Sequence, residues 1–268
     1  MFQQLHVVLR PAEVQVRRSG LLRGRGGDVR AFAVAHGRGN GGEPWRAAVQ
    51  RLAEVLAEQA GGSGSLHVVV SDHFARYAVV PWSLDVVTDS ERAALGRISL
   101  SEVFGAAADG WMVALDEPPA GSPCLACGID RAMFQALKDL GGALRMRLAS
   151  VTPALVARIN RHRRALSAPT LCVASVEPDR LTLAFRQGGA WLAVRSRRVD
   201  GQAVEGLAAA LRQEAAAGGV TGGGTLYLVG EGVGALPAFA LPEWNIERLE
   251  EGVVSRIREN ALVPVQSN

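Results

Sequence analysis

Between the Gly/Ser linker at Gly61 to Ser65 and the Pro81-Trp82 pair lies a run that few folds can accommodate: Leu-His-Val-Val-Val-Ser-Asp-His-Phe-Ala-Arg-Tyr-Ala-Val-Val, residues Leu66 to Val80. Its β-branched beginning reads as a strand buried on both faces, and its second apolar run is stopped by Pro81. A strand without a solvent face needs helices above and below it, so the expected class is α/β.

The flanking segments supply those layers in a repeating order. Leu5 to Leu9, Val14 to Arg17 and Val29 to Ala35 predict three meandering strands, with a turn at Gly24 to Gly27. After the loop His36 to Gly42, Glu43-Pro44 opens a helix whose Trp45, Val49, Leu52 and Leu56 form an apolar stripe. Beyond Leu66 to Val80, the pattern predicts a helix over Asp89 to Phe104 capped by Thr88 or Asp89, and strands at Trp111 to Leu115 and Cys124 to Ile129. A helix capped by Asp130 follows, with Met133, Leu137, Leu140 and Leu144 inward. Thr152-Pro153 then reads as an N-cap and first-turn proline for a helix through Leu155, Ile159 and Leu166.

Behind Ser167-Ala168-Pro169 the pattern restarts. Thr170 to Val176, Arg180 to Arg186 and Ala190 to Val199 predict a second meander, followed by a helix over Ala203 to Ala217 and a strand over Thr225 to Val229. A Gly-rich turn and an amphipathic helix through Ile246, Leu249, Val253 and Ile257 complete the half, with a loose tail after Leu262. No residue-level repeat is visible. The shared layout predicts two actin-like domains of the ribonuclease H-like (ASKHA) kind, residues 1–166 and 167–268, each a mixed sheet with a three-strand meander flanked by helices.

Composition narrows the function. With 48% hydrophobic and 21% charged residues, and no apolar run near the ~18 residues of a membrane span, the chain reads as a soluble globular protein. Met1 to Pro11 lacks the pattern of a signal peptide, and three cysteines make a disulfide framework unexpected, so a reducing, cytoplasmic setting is predicted. The pI of 9.1 does not imply nucleic acid, because the net charge is only +3 and the basic residues are almost all arginine, Lys138 being the one lysine.

An actin-like ATPase needs an acidic residue and a glycine in each of two phosphate-binding hairpins, plus a glycine turn beneath the adenosine. Here the first hairpin is Leu9-Arg10-Pro11-Ala12-Glu13, without Asp or Gly, and its proline removes a donor. In the second segment Ser175 and Glu177 stand where Asp and Gly are expected. Only Gly230, Gly232 and Gly234 keep the outline of an adenosine site, in degenerate form, so no cofactor is expected and ATP remains the alternative. The same glycines lack the βαβ unit of a dinucleotide fingerprint.

Other constellations are weaker. Ser71-Asp72-His73 has the letters of a hydrolase triad, but on an extended chain Asp72 points away from its neighbours. Cys124 and Cys127 sit in a strand, without the second pair that zinc requires. Arg158, Arg161, His162, Arg163 and Arg164 form the densest basic cluster and read as a solvated helical face; binding of nucleic acid there is the minor reading. Trp82, Trp191 and Trp244 are candidates for interface anchors or for the core.

The segment Val69 to Trp82, the strand–loop–strand at Trp111 and Cys124, and Ser150-Val151-Thr152-Pro153 together resemble the actin-like cytoplasmic platform proteins of type IV pilus and type II secretion systems, the PilM/GspL group. That resemblance implies a non-catalytic scaffold at the cytoplasmic face of the inner membrane. It would bind the cytoplasmic tail of a membrane-anchored assembly-platform partner, associate with the membrane only indirectly and relay to the assembly ATPase, and it leaves self-association into a homo-oligomer open. Secretion members carry a transmembrane helix after this part; the sequence here contains none, which points to a pilus-type or stand-alone relative. The alternative within the superfamily is a nucleotide-binding ATPase or sugar-kinase-like enzyme.

Overall fold

The computed structural model describes residues 3–19, 29–35, 43–58, 63–86, 88–199, 203–220, 222–237 and 239–250. In the first half, strands β1 (Gln3–Leu9), β2 (Glu13–Ser19), β3 (Val29–Ala33), β4 (Gly64–Val70) and β8 (Met146–Pro153) form one sheet in the order β3-β2-β1-β4-β8. The meander β1 to β3 is antiparallel, and β4 and β8 add parallel to β1. The second half repeats this with β9 (Thr170–Glu177), β10 (Arg180–Gln187), β11 (Ala190–Arg198), β12 (Gly224–Val229) and β13 (Trp244–Arg248), in the order β11-β10-β9-β12-β13. Directions match strand for strand, with an antiparallel meander and then two parallel additions.

Two helices cover one face of the first sheet. The stripe on α1 (Pro44–Glu58) meets Leu5, Val7 and Leu9 of β1 and Leu66, Val68 and Val70 of β4, joined by Met133 and Leu137 of α3 (Arg131–Ala143). The opposite face receives α4 (Ala154–His162), whose Ala154 and Ala157 cover Val8 and Val69. Burial of β4 on both sides explains its unbroken apolar run. In the second half, α5 (Ala203–Ala217) places Leu207, Ala210 and Leu211 over Cys172, Leu183, Phe185 and Leu226. The other face of that sheet, including Leu171, Val173 and Tyr227, joins the core of the first half.

Between β4 and β8 the chain inserts a small antiparallel sheet, β5 (Ala75–Val80), β7 (Cys124–Asp130) and β6 (Trp111–Leu115) in that order, with α2 (Asp89–Phe104) and a 3-10 helix, Gly105–Gly110. Thr88 closes a full capping box with Glu91, and Asp130 accepts from the amides of Ala132 and Met133, as their positions predicted.

Several expectations are corrected. Leu66 to Val80 is two strands in different sheets, separated by a turn in which the Phe74 amide donates to the Ser71 carbonyl at 2.9 Å. Met146 to Pro153 is a strand, so Thr152 lies in β8 and the N-cap position of α4 is Pro153, with no side-chain cap bond of its own. That helix ends at His162, before Leu166. Ile246 belongs to a strand rather than a final helix; Val253, Ile257 and the tail lie outside the described residues, as do the Gly24 to Gly27 turn and the His36 to Gly42 loop. Cys124 and Cys127 are buried thiols in separate clusters. Of the three tryptophans, Trp191 and Trp244 are buried and Trp82 is exposed. No helix among the described residues is long and apolar enough to cross a membrane.

Candidate functional site

In both sheets the parallel strands end at the same place, and the carboxyl ends of β1, β4, β9 and β12 converge on one cleft, where α/β folds put their ligands. The cleft is lined by the Arg10-Pro11-Ala12 hairpin, the Ser71-Asp72-His73 turn, the Glu177-Pro178-Asp179 hairpin, Glu231 and the first turns of α4.

Asp72 is fully buried there (0% exposed). Its Oδ1 accepts from the Tyr77 hydroxyl (2.5 Å) and the Leu155 amide (3.0 Å), and its Oδ2 from the Ser175 hydroxyl (2.6 Å). The Leu155 bond supplies the cap that Pro153 cannot, and sets a carboxyl at the positive end of α4. Burial, and then the neighbouring Glu177 charge, push the Asp72 carboxyl above the usual carboxylate range, against the pull of Arg158, Ser175 and Tyr77.

Arg158 is 7% exposed and spans the cleft. Its Nη1 donates to Ser175 Oγ (2.6 Å) and lies 3.4 Å from Glu177 Oε1 and 3.8 Å from Asp72 Oδ2, while Nη2 donates to Glu231 Oε2 at 2.6 Å. Glu231 in turn meets Arg10 Nε at 2.7 Å, and Arg10 Nη1 reaches Glu13 at 3.0 Å. Glu177 Oε2 accepts from the Ser71 hydroxyl (2.5 Å) and lies 3.1 Å from His73 Nδ1; His73 Nε2 reaches Asp179 at 2.6 Å. Burial raises the Glu177 carboxyl, but the His73 bond, the Arg158 charge and the Ser71 bond outweigh it and hold it down at about 2.

Ser71 and His73 do meet, at 2.9 Å, but Asp72 is turned toward α4 and Tyr77. Ser71 is 1% exposed and its hydroxyl donates to Glu177, so no substrate carbonyl can reach it. No group of three or more metal-ligating side chains forms among the described residues.

The glycines have a packing role. Gly230 has φ 125°, and a Cβ there would sit 2.2 Å from the Val176 carbonyl; one at Gly232 would sit 2.7 Å from Val176 Cγ1, whereas Gly234 faces open space. Two of the three thus let the short 3-10 helix Glu231–Ala235 lie against β9, which delivers Glu231 to Arg158 and Arg10.

The basic cluster needs correcting. Arg158 is not on the solvent side of its helix but at the centre of the cleft; Arg161, Arg163 and Arg164 are exposed. Asp72, Arg158, Tyr77, Arg10 and Glu231 escaped sequence reasoning as a group. The available signals were an Asp at the carboxyl end of a doubly buried strand and an Arg one turn beyond the buried Ala154 and Leu155.

No protein-family model and no curated protein sequence matches the chain. Solved structures do. PilM in the PilM–PilN type IV pilus biogenesis complex superposes with a TM-score of 0.57 at 14% identity, over 85% of this chain and 81% of that one. The cytoplasmic domain of EpsL, an inner-membrane component of the type II secretion system of Vibrio cholerae, gives 0.55 at 15% identity, over 92% and 90%. A Bacteroides thetaiotaomicron protein with an actin-like ATPase fold and unknown function gives 0.56 at 10%, over 85% and 82%. The chain therefore has the actin-like fold, and shares it with the pilus and secretion proteins that the sequence resembles.

Proposed function

We propose that the chain is a non-catalytic actin-like scaffold of a type IV pilus or type II secretion-like assembly platform. It would act at the cytoplasmic face of the inner membrane and bind the cytoplasmic tail of a membrane-anchored partner. One observation carries the non-catalytic part: the two hairpins that hold phosphates in an actin-like ATPase are here engaged by protein, Arg10 on Glu231 and Glu177 on Ser71, His73 and Arg158. Carboxylates at these positions repel phosphate, and the arginines that could attract it are already paired. We assign residues 1–166 and 167–268 as the two domains that this network joins, and Gly230 and Gly232 to the seating of Glu231 rather than to adenosine. The platform role rests on the shared fold with PilM and EpsL.

Calorimetry with Mg-ATP tests the first part. No heat at millimolar nucleotide and no phosphate release are expected; micromolar binding or turnover would move the chain to the ATPase or sugar-kinase alternative. For the second part, the labelled cytoplasmic tail of a PilN-type protein should bind saturably. Co-expression of that partner should also bring the chain into the membrane fraction, and failure of both would remove the platform role.

A further inference from the structure

Away from the cleft, the face of the first sheet that α4 partly covers carries an unusual row. Arg17, His6, His67 and Ser150 stand side by side on β2, β1, β4 and β8, each paired in register with the next. Directly paired residues share a face, so the four side chains rise together. His6 stacks on His67 with ring centroids 5.1 Å apart, and both ring nitrogens of His67 are within bonding distance of serine hydroxyls, Ser65 at 3.2 Å and Ser150 at 3.1 Å. From above, α4 brings Arg161 beside Arg17, on the helix face it shares with Ala154 and Ala157. Arg147 faces the same way, since it pairs with Ser65, two residues before His67.

Three arginines, Arg17, Arg161 and Arg147, thus gather around two imidazoles with no acid beside them among the described residues of these strands and α4. His6 is 8% and Arg17 9% exposed, yet His6 Nδ1 and Arg17 Nε have no hydrogen-bond partner. The acid on this face among the described strands is Glu13, four residues from Arg17 and therefore about 13 Å along β2, where it is held by Arg10 and Gln15. Burial first, and then the charges of His67 and Arg17, keep the His6 imidazole down at about 4. The buried Arg17 Nε donor and the adjacent unpartnered His6 Nδ1, beside Arg161 and Arg147, lack an acceptor-rich anion, to which the His6 ring can donate in its Nδ1–H tautomer.

We propose that His6, Arg17, His67 and Arg161 form a binding site for a phosphate group. A phosphoryl oxygen set supplies several acceptors at once, matching the guanidinium of Arg17 and the unused imidazole nitrogen better than a carboxylate does. The phosphate belongs either to a soluble phosphorylated compound or to a phospholipid headgroup, and the site is independent of the cleft.

The test uses the full chain with two probes. Inorganic pyrophosphate is titrated by calorimetry, and flotation is measured with phosphatidylglycerol/phosphatidylcholine vesicles against phosphatidylcholine alone. Arg161→Gln, at an exposed position that does not threaten the fold, should weaken binding about tenfold, the effect of one charge-assisted hydrogen bond. Arg17→Gln, if it melts like the wild type, should abolish it. Pyrophosphate binding lost in the variants identifies a soluble ligand, and flotation lost in them identifies the headgroup. Absence of both, or binding that Arg161→Gln leaves unchanged, overturns the site.

Discussion

Replacing Arg158 by methionine tests whether the cleft network holds the halves together. Methionine keeps most of the apolar stem but leaves Glu231, Glu177 and Asp72 without the guanidinium that now lies 2.6, 3.4 and 3.8 Å from them, and Ser175 without its donor. Each such pair is worth about 4 kcal/mol at an effective permittivity near 20, and much of that is offset in the wild type by desolvation. Removing one partner of a buried pair leaves the desolvation without the attraction, a loss of about 3–5 kcal/mol. For a chain of this size the melting temperature should drop by about 10–15 °C. Because the Arg158 charge pulls the Asp72 carboxyl down against the effect of burial, losing Arg158 lets Asp72 take up a proton more readily. The deficit should therefore be smaller at pH 5 than at pH 8. Calorimetric and urea unfolding should also change from one transition to two as the halves uncouple, with Arg158→Lys intermediate, since one ammonium cannot reach Glu231 and Ser175 together. A loss below about 1 kcal/mol with a single transition would refute the idea that Arg158 joins the halves.

Glu177 gives a pH signature. Its folded value of about 2 lies below the ordinary 4.5, so its contribution is complete above pH 4.5 and is lost as pH falls toward 2. The shift corresponds to about 3 kcal/mol; Asp72, shifted the other way, works against it in acid. The difference in urea stability between wild type and Glu177→Gln should therefore shrink from pH 6 to pH 3, and a constant difference would refute the assignment. Among the glycines, Gly230→Ala should lose about 3 kcal/mol or more, from strain at φ 125° and the collision with Val176, whereas Gly234→Ala should stay within about 0.5 kcal/mol by chemical denaturation.

Local chemistry made much of the fold legible. Both meanders, the α1 stripe and the Thr88 and Asp130 caps follow from alternation, period and hydrogen-bonding residues within a few positions of one another. Where tertiary structure interrupts a period, legibility fails. The register of β8 slips against β4 between Leu66 and His67, so Leu148 and Val151 fall out of alternation and the segment reads as a loop before a helix. Trp244–Arg248 is short, and Ile246 with Leu249 fits a helical spacing as well as a strand. The cleft was least legible because its bonds join remote segments, Ser175 to Asp72 across 103 positions and Leu155 to Asp72 across 83. A single buried Asp or Arg announces only that some partner exists.

The clasp across the cleft is made of side chains, and that has a consequence for control. In a machine whose halves are bridged by an exchangeable ligand, their mutual setting follows the supply of that ligand. Here the bridging carboxylates and guanidinium groups are encoded in the chain and arrive with every copy. On the scaffold reading proposed above, the angle between the halves would be set at synthesis, and switching would come from whatever docks on the surface.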